Sequence, residues 1–293
     1  MASTVDRLRE NAPGDYFVDT SCIDCDTCRQ IAPDTYERSD VAGQSIVARQ
    51  PVTAEQRRRA AMGLVACPTA SIGTASKADV GPAALAFPEL VAPDVYYCGY
   101  ASESSFGASS YLLRRPEGNV LIDSPRAARP LLQRLEELGG VRLMILTHRD
   151  DVADHEAIHR AFGCERVIHE SDVEPGTSMA EHKLRGNAPV DLGPDLTVIP
   201  VPGHTRGSVA LVAGGRYLFS GDHVWYESLL RRLHASRSVC WYSWSEQIRS
   251  MERLAELDFE WIFPGHGRRY QAPSAAAMRE EIRALAGRMA RPA

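Results

Sequence analysis

The sequence predicts an α/β protein in two parts, and three observations carry that reading. Four of its seven cysteines lie in the first 67 residues, so one region has a chemistry that the remainder lacks. Residues 73–94 are rich in Ala, Pro and Gly and show no clean period, as a connection would. Beyond them, short apolar runs alternate with segments whose apolar residues fall at helical spacing. A chain of 293 residues is comfortable for two domains. The expected layout is a small α+β domain over residues 1–75, a linker over 76–94 and a larger α/β domain over 95–293.

Within the larger part, "SYLLRR", the turn "PEGN" and "VLID" read as a hairpin, with apolar residues on either side of a Pro/Gly turn. "RAARPLLQRLEELGG" has the helical period and a glycine stop. "VRLMILTH" is a buried strand that runs straight into a polar loop, and "DHEAIHRAFG" is a helix ended by Gly163. "ERVIHE", "LTVIPVPGH", "SVALVAGG" and "RYLFSGD" are successive short strands. "SWSEQIRSMERLAELD" is a helix with Ser245 as its expected N-cap, "EWIFPGHG" a last strand and loop, and "APSAAAMREEIRALAGRMA" a closing helix.

Composition is that of an ordinary globular protein, 44% hydrophobic and 24% charged. The net charge of -5 gives no pull toward nucleic acid or anionic membrane, and the only lysines are Lys77 and Lys183. No apolar run is long enough to span a bilayer, and the N-terminus lacks the apolar core of a secretory signal. Clustered cysteines in odd number, without such a signal, point to reduced thiols, metal chemistry and the cytoplasm. Cys98, Cys164 and Cys240 stand outside the cluster and read as core or incidental thiols.

Cys22-x-x-Cys25-x-x-Cys28, followed by Cys67-Pro68, can bring four thiolates onto one inorganic cluster. Zinc fits less well, because structural zinc sites favour two separated Cys-x-x-Cys pairs. The stretch from about residue 14 to 75 resembles the single-cluster bacterial ferredoxins, whose fourth ligand is a remote Cys-Pro. That resemblance implies a [4Fe–4S] cluster held by Cys22, Cys25, Cys28 and Cys67.

"THRDDVADH" places His148, Asp150, Asp154 and His155 just after a strand. "PGHT", "FSGDH" and "FPGHG" then supply His204, Asp222 and His266, each after an apolar run and each directly after a glycine that lets the backbone turn tightly. The order resembles the metallo-β-lactamase fold, an αββα sandwich that binds one or two metals, over residues 95–275. The resemblance implies that His148, Asp150 and His204 bind one metal, that Asp154, His155 and His266 bind the other, and that Asp222 bridges them. It also matches Asp123 to a supporting aspartate. The spacing departs from the family's His-x-His-x-Asp-His: here it is His-x-Asp-x-x-x-Asp-His, so either Asp150 or Asp151 fills the second position, or neither does and the site holds one metal. A carboxylate there favours iron over zinc. The flavodiiron proteins, on the same fold, carry a Glu at that position and use two irons. His223, beside Asp222, is a candidate proton donor, with Asp150 and Asp154 as the other candidate catalytic groups.

The segment from His223 to Trp244 gathers aromatics around Arg231, Arg232 and Arg237, as a substrate wall or as an ordinary cover over the sheet. A cluster is superfluous for hydrolysis, so the first expectation is redox chemistry on a small molecule at a non-haem iron site. Electrons would come through the cluster from an external donor such as a reductase. The alternative is a metallohydrolase of esters, thioesters, amides or phosphoesters with a structural or regulatory cluster, and a third reading is a redox or iron sensor.

Overall fold

The computed structural model describes residues 2–291; residue 1 and residues 292–293, the outer ends of the first and last expected domains, lie outside it. The chain divides into two compact units. One holds the chain up to Asn119 together with Ser124–Val141 and Ala153–Gly163; the other holds Val120–Asp123, Arg142–Val152 and the chain from Cys164 onward.

The first unit opens with β1 (Tyr16–Val18), α1 (Thr27–Ile31), β2 (Tyr36–Arg38), β3 (Ser45–Val47), α2 (Ala54–Ala66) and β4 (Ile72–Thr74). β1 pairs antiparallel with β4, and β2 with β3. α2 starts at a capping box, in which Thr53 Oγ1 accepts from Gln56 N–H and Gln56 Oε1 accepts from Thr53 N–H, each at 3.1 Å. It ends at Cys67, so the helix terminus delivers the fourth cysteine. Leu8, Tyr16, Val18, Tyr36, Val47, Ala60 and Ile72 pack with Cys28 and Cys67 into a small core.

The expected linker is structured over much of its length. It contains α3 (Gly81–Ala84) and β5 (Glu89–Ala92), and β5 begins an antiparallel meander with β6 (Val95–Tyr97) and β7 (Tyr111–Leu113). Phe87 is wholly buried there, edge-on to Tyr97 and Tyr100 at 5.9 Å each. β5 gave no alternating signal because it has few residues and leaves Leu90 exposed. α4 (Arg129–Glu137) and α5 (His155–Phe162) complete the unit, and Gly163 ends α5 in the left-handed region.

In the second unit, β8 (Val120–Ile122), β9 (Leu143–Ile145), β10 (Glu165–His169) and β11 (His182–Leu184) run parallel in that order. A second sheet uses β12 (Val190–Asp191), β13 (Leu196–Pro200), β14 (Val209–Ala213) and β15 (Tyr217–Gly221). After the hairpin β16 (Trp225–Glu227) and β17 (Arg232–His234), it is completed by β18 (Trp261–Pro264) and β19 (Tyr270–Gln271), in the order β12-β13-β14-β15-β18-β19. α6 (Trp244–Leu254) and α7 (Ala275–Met289) cover it, burying Met251, Leu254, Met278 and Ile282 with Leu218 and Ile262. The N-cap of α6 is Ser243, not Ser245: Ser243 Oγ accepts the Glu246 N–H at 3.3 Å, and the helix begins two residues earlier than the apolar period suggests. No described helix is long and apolar enough to cross a membrane.

Candidate metal centre and cluster cradle

The sheets of the second unit bring polar residues to one edge. β8 and β9 are parallel, so Asp123, the residue after β8, stands beside Thr147 just past β9. β15 and β18 are parallel, and the Gly265 N–H donates to the Gly221 carbonyl at 2.9 Å, which sets Asp222 beside the loop of His266. His204 follows β13, and the Val209 N–H at the start of β14 donates to the Thr147 carbonyl at 2.8 Å. Short connections at strand ends thus hold His148, His204, Asp222 and His266 together.

The ligand atoms of His148, Asp150 and His204 lie within 4.8 Å of one another, and so do those of His148, Asp151 and Asp222. The sequence left open whether Asp150 or Asp151 faces the site; the fold brings both there. His148 Nε2 is 3.9 Å from both Asp150 Oδ2 and Asp151 Oδ2 and 3.8 Å from Asp222 Oδ2. His204 Nε2 is 3.4 Å from Asp150 Oδ2, and His266 Nε2 is 3.7 Å from Asp222 Oδ2. Most of these separations are too long for hydrogen bonds. They approach the roughly 3–3.5 Å that separates two ligands each about 2.0–2.2 Å from a shared ion.

The tautomers agree with metal binding. Thr147 donates its hydroxyl to Asp123 Oδ2 at 2.9 Å and its N–H to Asp123 Oδ1 at 2.7 Å. Its hydroxyl oxygen therefore accepts from His148 Nδ1, 3.0 Å away, which leaves a lone pair on His148 Nε2. His204 Nδ1 lies 2.6 Å from the Val239 carbonyl, which can only accept, so His204 Nε2 carries a lone pair as well. Both Nε2 atoms, with Asp151 Oδ2 and Asp222 Oδ1, are buried and have no hydrogen-bond partner among the described residues. Orphaned polar atoms of this kind call for an ion or water.

The electrostatics point the same way. Burial, with repulsion from Asp222, Asp123 and Asp150, pushes Asp151 well above the usual carboxylate range. Burial raises Asp123 to about 8 despite the donors from Thr147. Burial also opposes charge on Asp222, but His266, His148 and His204 outweigh it and hold its pKa low. So many carboxylates in one buried pocket are relieved by a cation. Gly265 leaves room for the ligands: a Cβ there would stand 2.6 Å from Asp222 Oδ1 and 2.8 Å from Asp151 Oδ2.

Asp154, His155 and His223 fall in neither of those two ligand groups among the described residues. Asp154 and His155 belong to the first unit, where Asp154 precedes α5 and its Oδ2 accepts the Ala127 N–H at 2.8 Å. His155 is buried at the first position of that helix. His223 is sealed in, with both ring nitrogens lacking a hydrogen-bond partner among the described residues. Burial, then repulsion from His204, lowers its pKa to about 3. That shift disfavours the imidazolium that a proton donor would use.

Two supports escaped the sequence reading. Thr147 fixes His148, as above. Asp172 is buried and accepts from the Gly207 N–H at 2.7 Å, the Arg149 N–H at 3.1 Å and the Thr205 hydroxyl, tying the His148 loop to the His204 loop. Nothing in "ESDVEP" marks it. The aromatic segment divides in two. Tyr226 stacks on Tyr270 at 4.9 Å and Trp244 donates to the Met289 carbonyl, so both are structural cover. Trp241 is 60% exposed, with its ring 6.1 Å from that of His204 and its N–H donating to the His204 carbonyl.

In the first unit, Cys22, Cys25, Cys28 and Cys67 line one pocket with Val18, Ile23, Pro68 and Ile72. All are free thiols, and none of the chain's cysteines is in a disulfide. Burial pushes Cys28 out of the normal thiol range and raises Cys25. Four sulfurs around one pocket fit an iron–sulfur cluster.

An α/β sandwich with His and Asp ligands converging past its strand ends defines a metal-binding scaffold. The chain belongs to the metallo-beta-lactamase superfamily, whose family model matches residues 105–266, and residues 18–74 match the 4Fe-4S single cluster domain of ferredoxin I. Acyl-coenzyme A thioesterase MBLAC2 of Bos taurus is 31% identical over 213 residues, covering 56% of this chain and 74% of its own. A hydroxyacylglutathione hydrolase of Xanthomonas campestris pv. campestris is 32% identical over 109 residues, 36% of this chain, and the chain spans only 42% of that relative's length. Among solved structures, the metallo-beta-lactamase FIM-1 from Pseudomonas aeruginosa, in its mono-zinc form, has a TM-score of 0.52 at 17% identity, covering 69% of this chain and 95% of that one. VMB-1 has a TM-score of 0.50 at 17% identity, covering 67% and 95%. These two similarities establish the fold.

Proposed function

We propose that the protein is a metal-dependent hydrolase of thioesters, its metal held by His148, Asp150, Asp151, His204, Asp222 and His266. The observation that carries this reading is the pair of imidazoles locked through Nδ1, whose free Nε2 atoms converge with buried carboxylates. Relatives named as an acyl-coenzyme A thioesterase and a hydroxyacylglutathione hydrolase support hydrolysis at an acyl–sulfur bond. They move hydrolysis ahead of the redox expectation.

A metal bound there supplies Lewis acidity and a water acidic enough to ionise near neutral pH. The chain's own residues do the rest. Thr147 and the Val239 carbonyl orient the two imidazoles. The neighbouring His204, 3.4 Å away, is the first cause that holds the Asp150 carboxyl below its usual range, and the side chain is 45% exposed. Trp241 offers an apolar surface beside His204 for the acyl portion of a small-molecule substrate.

The test is thiol release from a panel of acyl thioesters by metal-replete protein. Hydrolysis should fall at least about a hundredfold in His204→Ala; no turnover of any thioester would sink the reading. A second reading keeps its place because three carboxylates line the pocket and four cysteines form a cradle in the same chain. On it, the pocket holds iron, ahead of zinc, and receives electrons through the cluster from an external donor. Oxidant-dependent re-oxidation of an anaerobically reduced cluster, abolished in Cys25→Ser, would favour that reading. Hydrolysis undiminished in Cys25→Ser would favour the first.

A further inference from the structure

The pocket of the four cysteines is lined with hydroxyl groups, and the hydroxyls are matched to the sulfurs. Thr27 Oγ1 lies 3.4 Å from Cys25 Sγ. Thr69 Oγ1 and Ser71 Oγ each lie 3.8 Å from Cys67 Sγ and hydrogen-bond each other. Ser45 lines the pocket together with Cys28, and the Asp24 N–H points at Cys22 Sγ from 3.5 Å. Thr27, Ser45 and Ser71 are all buried, so no bulk water competes for them.

A thiol both donates and accepts; a metal-bound thiolate only accepts. Binding a cluster therefore fixes the direction of every one of these bonds, and the protons suffice. Ser45 Oγ already accepts from Arg29 Nη1, itself held by Asp24 and Asp26, so its own proton is free for Cys28. Thr69 and Ser71 share two protons: one joins the two hydroxyls and the other turns to Cys67. Thr27 has one proton and two acceptors, Cys25 Sγ and the Gly107 carbonyl at 3.2 Å. Bonds to an anion are stronger than bonds to a neutral carbonyl, so negative charge on the sulfur decides between them. Gly107 brings its backbone this close because it lacks a side chain; a Cβ would stand 2.6 Å from Cys25 Cβ and 2.9 Å from Cys25 Sγ.

We propose that Thr27, Ser45 and the Thr69–Ser71 pair form a hydrogen-bond set that raises the cluster's reduction potential, with Thr27 as its adjustable member. One electron from an external reductant enters the cluster, no covalent bond breaks and no proton leaves the hydroxyls. The added charge spreads onto the sulfurs, so each donor holds the reduced state more firmly than the oxidised one. Thr27 turns further from Gly107 toward Cys25 as that charge grows. These are positioning residues: they touch the sulfurs and act through them. The inference is independent of the reaction proposed above and rests only on the cluster.

The full-length chain, reconstituted anaerobically with iron and sulfide, is titrated with dithionite and mediators while EPR follows the reduced cluster. Thr27→Val and Ser71→Ala should each lower the equilibrium constant for reduction by up to about tenfold, ~59 mV for one electron. Thr27→Ser should restore the wild-type midpoint. Iron content and EPR line shape should stay as in wild type. Unchanged midpoints in both variants, or Thr27→Ser behaving as Thr27→Val, would overturn the proposal. Should a variant not take up iron, pulsed EPR of the wild-type cluster in D2O decides: couplings to exchangeable deuterons beyond the one on the Asp24 nitrogen support the hydroxyl set, and the Asp24 coupling alone rejects it.

Discussion

Thr147 gives its hydroxyl proton to Asp123, and by that choice sets which nitrogen of His148 faces the pocket. Thr147→Val keeps the shape but removes both bonds. Metal affinity should fall about 10–100-fold, as measured by competition with a chromogenic chelator, while the far-UV CD spectrum is unchanged. Gly265→Ala acts by crowding instead. Its methyl would stand 2.6 Å from Asp222 Oδ1, an atom with little freedom to withdraw. Metal occupancy measured by elemental analysis should drop, with a modest loss of stability, about 1–3 kcal/mol. At this scale the sequence was informative where a residue's type is rare in its setting. His148, His204, Asp222 and His266 stood out because each follows an apolar run. Thr147 and Asp172 did not, because a threonine or an aspartate in a loop has many ordinary uses, and only the parallel pairing of β8 with β9 reveals what Thr147 touches. Asp150 and Asp151 could not be separated by spacing alone, and the fold turns both toward the same histidine.

Among the elements, the strands with buried, regular runs were legible and those at the margins were not. β13, β14 and β15 each show a nearly continuous apolar face. β11 shows His182 and Lys183 to solvent and gave no signal, yet it is fastened firmly to β10. The fastening is Arg166, 3% exposed, whose Nη2 donates to Glu181 Oε1 at 2.9 Å and to the Met179 carbonyl at 2.8 Å. Glu181 Oε2 also accepts from the Arg166 N–H at 2.7 Å. The bond to Arg166 holds the Glu181 carboxyl near 2, from an ordinary 4.5. A depressed carboxyl stabilises the folded state fully above its unfolded pKa, and that contribution disappears as pH falls through the folded value. The loss therefore runs from about pH 4.5 down to about 2. Glu181→Gln should cost about 1–3 kcal/mol near pH 7, at the low end because the carboxyl is partly exposed, and mostly because the buried guanidinium loses its counter-charge. The variant's denaturation midpoint should be flatter than that of wild type across that acid window; parallel pH curves would refute the assignment.

For the molecule as a whole, the composition shift after the fourth cysteine was readable, but the boundary of the folded unit was not. The cysteine region has its own small core, from Leu8 to Ile72, and that is what the sequence pattern detected. It could not show that the same compact unit continues through α3, the β5-β6-β7 meander and α4. The joins are hydrogen bonds to backbone carbonyls, which leave no hydrophobic pattern in the sequence. The last carbonyls of α2 are taken by later residues: Val65 by Arg126 Nη2 at 3.0 Å and Ala66 by the Ala101 N–H at 3.2 Å. Thr27 reaches the Gly107 carbonyl in the same way. A fragment ending at residue 94 keeps the four cysteines and the small core but loses all three bonds. Helix-terminal carbonyls then turn to water beside Cys67, and the backbone of Gly107 no longer lies against Cys25. With about 1 kcal/mol for each hydrogen bond, and part of that recovered by water, the fragment should release its iron to a chelator roughly tenfold faster than the full chain. The decay of visible absorbance under excess chelator measures both rates. Equal rates would mean that the cysteine region stands alone and that the bonds to Arg126, Ala101 and Gly107 contribute nothing to holding the cluster.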